Sequence, residues 1–346
     1  MYSFLNDYSE GAHPAILDAL YRLNEEQNIG YGEDSHCKRA KELIKKHLLK
    51  EDADIHFIPG GTQSNLLVIS SFLRPHECVI AVDKGHINVH ETGAIEATGH
   101  KVVTMPHRDG KLTPDSIEKA VKYHVGEHMV KPGMVYLSDS TELGTVYTKA
   151  ELTAIHDICN KYGLILYLDG ARLGAALTCD RNDLKLSDLA SLTDVFTIGG
   201  TKNGALLGEA LAILRDDLKD DFRYLIKQRG AMLAKGFLLG VQFEELFADN
   251  LYFELARHAN IMAGRIADTL KACEYKFYAT PETNQLFPIM SNTFLKELSK
   301  DFRFLVEQEI DEDYSVIRLV TSWATSEESV DSLCKFIGGY YADQNN

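Results

Sequence analysis

The sequence predicts an α/β fold: a large domain built on an open, mainly parallel sheet, followed by a smaller α+β domain. Three observations predict it. Short apolar runs alternate with amphipathic helical segments up to about residue 250. Polar, chemistry-bearing residues sit just past the ends of several of those runs. From residue 251 the alternation gives way to one long helix, mixed short strands and a closing helix. In open parallel sheets ligands bind beyond the carboxyl ends of the strands, so the residues that follow the apolar runs are the ones that bear on function.

Gly11 and Ala12 precede HPAILDALYRL (13–23), whose apolar positions recur at helical spacing; a polar connection containing NIGYGEDS (28–35) separates it from a second helix over 36–50. Strand DIHFIP (54–59) runs into Gly60, Gly61 and Thr62 and then a helix through 63–73. ECVIAVD (77–83) and a helical HINVHETGAIEAT (86–98) repeat the unit, with Pro75 and Gly99 at natural boundaries. The series continues with strand 101–106, a helix near 114–125, strand 133–139, helix 149–163 and strand 164–170. Runs 194–200 and 209–215 predict two adjacent strands, and 217–231 a helix. A helix over 251–272, strands and turns around 276–290, a strand over 314–320 and a helix near 326–341 complete the chain. The division expected is 1–25 as an N-terminal segment joining the small domain or an interface, 26–250 as the large domain, and 251–346 as the small one.

With 346 residues, an apolar fraction of 45% and a charged fraction of 25%, the chain has enough material for a packed core, and disorder is not expected. The net charge of −15 opposes general attraction to nucleic acid and leaves small metabolites as the expected partners. Six scattered cysteines, with no CxxC or cysteine–histidine ligand set, read as reduced thiols in a cytoplasmic protein. The start, MYSFLNDYSEGAHP, lacks a basic stretch followed by an apolar one, and no segment approaches the length of a membrane span.

Lys202 lies between two apolar, glycine-bearing runs in VFTIGGTKNGALLGEALAIL (195–214). A lysine desolvated in a closed pocket has a lowered pKa and can attack a carbonyl to form a Schiff base; an edge lysine whose stem covers apolar surface is the other reading. Asp169 follows LILYL (164–168) directly, so it is expected to project from a strand end toward the same cleft. There a carboxylate needs a cation or several donors: a protonated pyridine nitrogen is one such partner, and helix capping is the alternative role. Arg172 either grips a ligand carboxylate in a bidentate fork or neutralises Asp169. The turn PGGTQSN (59–65) joins a strand to a helix; its backbone N–H groups, at Gly61 in particular, and Thr62 suit a phosphate, although ordinary turn chemistry explains it too. A lysine, a strand-end aspartate and a phosphate turn are the three contacts that a pyridoxal phosphate site requires.

His86 can lay its ring over a planar cofactor, act as a base, or simply begin a helix; with His90 and Glu91 it completes no established zinc spacing. Arg318, inside YSVIRLV (314–320), needs an anion such as an amino acid carboxylate if buried, and only water if it stands on an edge. Lys227 and Lys235 are placed on a later basic helix, as surface charge or as contacts to a cofactor phosphate, including one in another subunit.

Taken in order, the motifs resemble the threonine aldolase and aromatic amino acid β-eliminating lyase family of pyridoxal phosphate enzymes, most closely the low-specificity L-threonine aldolases among them. The resemblance runs through YGED (31–34), PGGTQSN (59–65), DKGHINVHETGA (83–94), STELGTVY (140–147), LDGARLGAA (168–176), GGTKNG (199–204) and IRLVTSW (317–323). It implies a pyridoxal-phosphate-dependent transferase-like fold of type I, with Lys202 as the Schiff-base lysine, Asp169 at the pyridine nitrogen and His86 on the ring. Gly61 and Thr62 would hold the phosphate with help from Lys227 and Lys235. Arg172 and Arg318 would bind the substrate carboxylate, and Asn6 and Tyr31 would line the pocket. The implied reaction is cleavage of L-threonine, L-allo-threonine and related β-hydroxy amino acids to glycine and an aldehyde, for which His86 is the preferred base or the organiser of a basic water; β-elimination from an amino acid with a β leaving group is the alternative. A homodimer or homotetramer with active sites between subunits is implied as well. The chain departs from the family pattern at LND (5–7), where many relatives carry Arg–Ser–Asp, and at KGH (84–86), where they carry Ser–His; the family's histidine-bearing loop has no counterpart around 123–129.

Overall fold

The computed structural model describes residues 1–345. Its strands, in chain order, are β1 (Tyr2–Ser3), β2 (Asp54–Ile58), β3 (Glu77–Val82), β4 (Val102–Met105), β5 (Lys131–Ser138), β6 (Ile165–Asp169), β7 (Val195–Gly199), β8 (Glu209–Ile213), β9 (Gln285–Leu286), β10 (Ile289–Ser291), β11 (Phe302–Arg303), β12 (Leu305–Glu309) and β13 (Tyr314–Val320). β2 to β8 form one seven-stranded sheet in the order β2-β8-β7-β6-β5-β3-β4. Neighbours from β7 to β4 pair in parallel, whereas β8 is antiparallel to both β2 and β7. The start of β8 therefore lies at the same sheet edge as the carboxyl ends of the other strands.

Both faces of this sheet are covered, which is why its strands read as nearly unbroken apolar runs. Side chains alternate between two cores: in β6, Ile165 and Tyr167 enter one and Leu166 and Leu168 the other. The crossover helices begin and end where the sequence says they should. Thr148 and Glu151 form a capping box that starts the helix Lys149–Tyr162, and Gly163, at φ 63°, closes it and turns the chain into β6.

A third core joins the helix Leu251–Ala272, through Met262, Ile266 and Leu270, to Val330, Leu333 and Ile337 of the helix Glu327–Asn345 and to Ile317 and Leu319 of β13. β13 pairs antiparallel with β9, β10 and β12. The N-terminal segment belongs to this end of the molecule: β1 pairs with β11, Phe4 is part of the third core, and the Val320 N–H donates to the Phe4 carbonyl. Among the described residues no helix is long and apolar enough to cross a membrane.

Three expectations are corrected. The helix over 86–98 is two short pieces, His86–Val89 and the 3-10 turn Glu96–Thr98, because Thr92 (φ 53°) and Gly93 (φ 71°) adopt left-handed conformations between them. The helix over 217–231 shrinks to Phe222–Gln228, preceded by a 3-10 turn at Asp216–Leu218 and by Asp221 at φ 59°. Lys235 consequently lies in the turn before the helix Phe237–Ala248 and not on the helix that carries Lys227. Sequence periodicity does not reveal Phe237–Ala248, since that helix is buried on most of its circumference and its polar side is reduced to Glu244 and Glu245.

Candidate active site

Beyond the carboxyl ends of the parallel strands lies a cleft of about 760 Å³. Asp169 ends β6, Ser138 ends β5, Lys202 follows β7, His86 follows β3, and Gly60, Gly61 and Thr62 follow β2; Glu209 enters from the start of the reversed β8. Leu305 and Glu307 of β12 and Arg318 of β13 supply the facing wall.

Asp169 is 6% exposed and its carboxylate is surrounded by donors. Oδ2 accepts from the Tyr136 hydroxyl at 2.7 Å and from Asn65 Nδ2 at 2.9 Å, and Oδ1 accepts from the Ala171 N–H at 3.0 Å. Burial raises the phenols of Tyr136 and Tyr167 well above their usual range, so both remain donors. Tyr167 donates to Asn65 Oδ1 at 2.6 Å and so fixes which end of that amide faces Asp169. Asn65 Nδ2 also donates to Glu91 Oε1 at 2.7 Å, and the same oxygen lies 2.7 Å from His86 Nδ1. A continuous polar chain thus links the end of β6 to His86 and leaves the Nε2 edge of that ring for the cleft.

The helix Gly61–Phe72 begins at Gly60 with no side-chain cap. The N–H groups of its first turn have no intrahelical partner, and an added Cβ at Gly60 or Gly61 would meet nothing within 4 Å. An anion can approach this backbone closely, with the helix dipole in its favour.

Lys202 has its pKa lowered, by burial first and by the nearby Arg172 guanidinium second, against the opposing charges of Asp7, Asp169 and Glu209. Arg172 does not neutralise Asp169. Its partner is Asp7, which it grips with Nε at 2.7 Å and Nη2 at 3.0 Å; Asn284 donates a further bond to the same carboxylate. Asp7 takes the Nε/Nη2 edge of Arg172, while the residue still lines the cleft. Burial pushes the Asp7 carboxyl upward, but Arg172 and Lys202 more than offset it and hold the group below the usual carboxylate range. Its contribution to stability is present above the unfolded carboxyl pKa of about 3.9 and is lost as pH falls through the lower folded value. Asp7 is 1% exposed. Asp7→Ala, which strands the Arg172 charge, is expected to cost about 3 kcal/mol at neutral pH, and the gap to the parent should narrow on acidification; urea unfolding at a series of pH values measures both.

Arg318 is half-buried and short of partners. Nη2 reaches the Leu5 carbonyl only at 3.5 Å, and Nε is buried with no hydrogen-bond partner. Burial, then the proximity of Arg172, lowers its pKa, so the cleft holds a cation that an incoming carboxylate would satisfy.

The cleft therefore gathers Gly61, Thr62, His86, Asp169, Arg172, Lys202 and Arg318. It does not gather the remaining four sequence candidates from the same chain. The Asn6 side chain accepts from the Tyr8 N–H and the Ser9 hydroxyl. Tyr31 is 48% exposed and lies under Lys227, whose Nζ is 4.6 Å from the ring centroid. Lys235 is exposed. Sequence reasoning missed Asp7, Asn65, Glu91, Tyr136 and Glu209. A signal existed for two of them: Asp7 occupies the third position of LND, where relatives also carry Asp, and Glu209 opens the otherwise apolar run EALAI.

A family profile described as beta-eliminating lyase matches residues 4–293. A low specificity L-threonine aldolase from a Pseudomonas species is 32% identical over 345 residues, covering 95% of each chain. The solved structure of Leishmania major threonine aldolase superposes with a TM-score of 0.98 at 52% identity, covering 99% of this chain and 100% of that one. The aspartate aminotransferase of Thermus thermophilus, at 13% identity, shares the fold alone, with a TM-score of 0.73 over 98% of this chain and 91% of its own.

Proposed function

Given that the chain belongs to the beta-eliminating lyase family and is a pyridoxal 5′-phosphate-dependent lyase of fold type I, we propose that it is a threonine aldolase. It cleaves L-threonine, L-allo-threonine and related β-hydroxy amino acids to glycine and an aldehyde. The observation that carries the reading is the meeting, in one cleft, of a desolvated lysine and a strand-end carboxylate with the partner-poor Arg318 opposite them. The likeness to Leishmania major threonine aldolase at 52% identity supports the choice of reaction.

The residues fit the cofactor. An uncapped helix start free of Cβ atoms suits its phosphate, the donor-ringed Asp169 carboxylate suits a protonated pyridine nitrogen, and Lys202 suits its aldehyde carbon. When bound, pyridoxal 5′-phosphate supplies an electron sink in conjugation with the substrate Cα. On this reading Lys202 is the covalent anchor, with a lowered pKa that leaves its amine free to attack. Gly61 and Thr62 bind the phosphate. Asp169 keeps the ring nitrogen charged, and Tyr136 and Asn65 keep Asp169 in place. His86 would face the ring and take the β-hydroxyl proton at Nε2, its other nitrogen being held by Glu91. Arg318 would bind the substrate carboxylate and so fix the rotation about Cα. Arg172, held by Asp7 along its Nε/Nη2 edge, would present its Nη1 side to the same substrate carboxylate as Arg318.

Tyr31, Lys227 and Lys235, which lie outside this chain's own cleft, are assigned to the cleft of a second copy, in a cytoplasmic homodimer or homotetramer that forms glycine. Residues 26–250 serve as the cofactor-binding domain, 251–346 as the smaller one, and 1–25 as the segment tying the N-terminus to it. Product analysis tests the reaction: purified protein given L-threonine or L-allo-threonine is expected to release glycine and acetaldehyde in equal amounts. Release of a 2-oxo acid and ammonia instead would assign β-elimination and overturn the aldolase reading.

A further inference from the structure

Glu209 is 4% exposed, yet it borders the cleft. It reaches the catalytic edge only because β8 runs against its neighbours, so that the first residue of that strand, paired with Ile58 and Gly199, stands where the others end. Its Oε1 accepts from the Thr201 hydroxyl at 3.0 Å and its Oε2 from the Gly200 N–H at 3.3 Å. Those are the two residues immediately before Lys202. Thr201 is itself tied back to the far side of the loop: its Oγ1 accepts from the Gly208 N–H at 3.0 Å, and its own N–H and that of Gly200 both donate to the Gly208 carbonyl. A carboxyl placed there clamps the base of the Lys202 loop. No cation ion-pairs with it among the described residues, although a buried acid ordinarily requires such a partner.

We propose that Glu209 is a positioning residue for Lys202: it fixes the lysine-bearing loop through the Gly200 N–H and the Thr201 hydroxyl, and places a buried carboxyl beside the amine. The groups that face the amine are Arg172 after β6, Asp7 from the N-terminal segment, Asp169 at the end of β6, and Glu209. Those that face Glu209 are Lys202 and Asp169 directly, with the Tyr167 and Tyr252 phenols behind. Burial pushes the Glu209 carboxyl up to about 8 against the pull of Lys202. An ionised Glu209 favours the ammonium form of Lys202, so removing its charge lowers the pH at which the free amine appears.

This inference rests on the reading of Lys202 as the lysine that binds the cofactor. The test is competitive acylation of the full-length protein freed of cofactor, across a pH series, with Lys202 labelling followed by peptide mass spectrometry. Glu209→Gln should move the Lys202 midpoint down by about one pH unit. Thr201→Val, which loosens the clamp but keeps the carboxyl, should leave the midpoint where it is. A Gln variant with the parental midpoint, or equal shifts in both variants, overturns the role of Glu209. Should the Gln variant not fold, the parent decides: the rise of Lys202 labelling with pH should be broader than a single ionisation, because the Glu209 carboxyl holds back the amine as it ionises, and a rise that fits one ionisation overturns the proposal. Adding back pyridoxal 5′-phosphate separates the two readings. Lys202 left unprotected in every variant means that the assignment of the lysine has failed, whereas protection with an unmoved midpoint means that only the role of Glu209 has.

Discussion

Lys202→Ala is expected to reduce threonine cleavage by a factor on the order of 10⁴ or more, since it removes the amine through which cofactor and substrate exchange. The effect should fall on kcat and kcat/KM together, and the visible absorbance of lysine-bound cofactor should disappear from the purified protein. Folding should survive. Lys202 stands in a loop whose backbone is held by Gly200, Thr201 and Gly208, and no carboxylate ion-pairs with its amine among the described residues. Turnover and visible spectra of the alanine variant, with a melting curve alongside, check all three statements; a variant that keeps both absorbance and activity removes Lys202 from the chemistry.

Asp169→Asn is the second large effect. The amide matches the carboxylate in shape but cannot neutralise a charged ring nitrogen, and kcat is expected to fall by about 10³-fold. The local structure also objects. Tyr136 and Asn65 both donate to Oδ2, so an amide nitrogen placed there sets donor against donor, and the opposite rotamer sets it against the Ala171 N–H. A buried donor left unpaired costs about 1–3 kcal/mol. A lower melting temperature should therefore accompany the kinetic loss, while cofactor still binds through the 60–62 turn. Steady-state kinetics and calorimetry on the same preparation separate the two effects.

Much of this site was legible in the chain because its residues follow strands whose apolar runs are unmistakable. Asp169 at the end of β6, Lys202 after β7 and the glycines after β2 could each be placed at a sheet edge by counting from the end of a run. The helix over 251–272 and the strand over 314–320 appear with the bounds their patterning indicates. What stayed hidden are contacts made across long separations. Asp7 meets Arg172 over 165 positions and Asn65 meets Asp169 over 104, and no local pattern records which distant carboxylate a cation will choose. The left-handed turn at Thr92 and Gly93 was hidden for another reason: the apolar spacing of 86–98 suits a helix, and only the backbone angles reveal the break. Lys235 was misassigned by the same kind of interruption, at the end of Phe222–Gln228.

The reversal of β8 gives the molecule a mechanical asymmetry. A reactive side chain at the tip of a lone parallel strand can swing with the loop that follows. Here the segment bearing the amine is the connection of a β7–β8 hairpin whose two strands, second and third from one edge of the seven-stranded sheet, are paired on both flanks. Both ends of that connection are anchored by paired strands, whereas β12 on the facing wall is an edge strand paired on one side only. An engineer seeking a roomier enzyme would do better to change the β12 wall than the anchored hairpin opposite it.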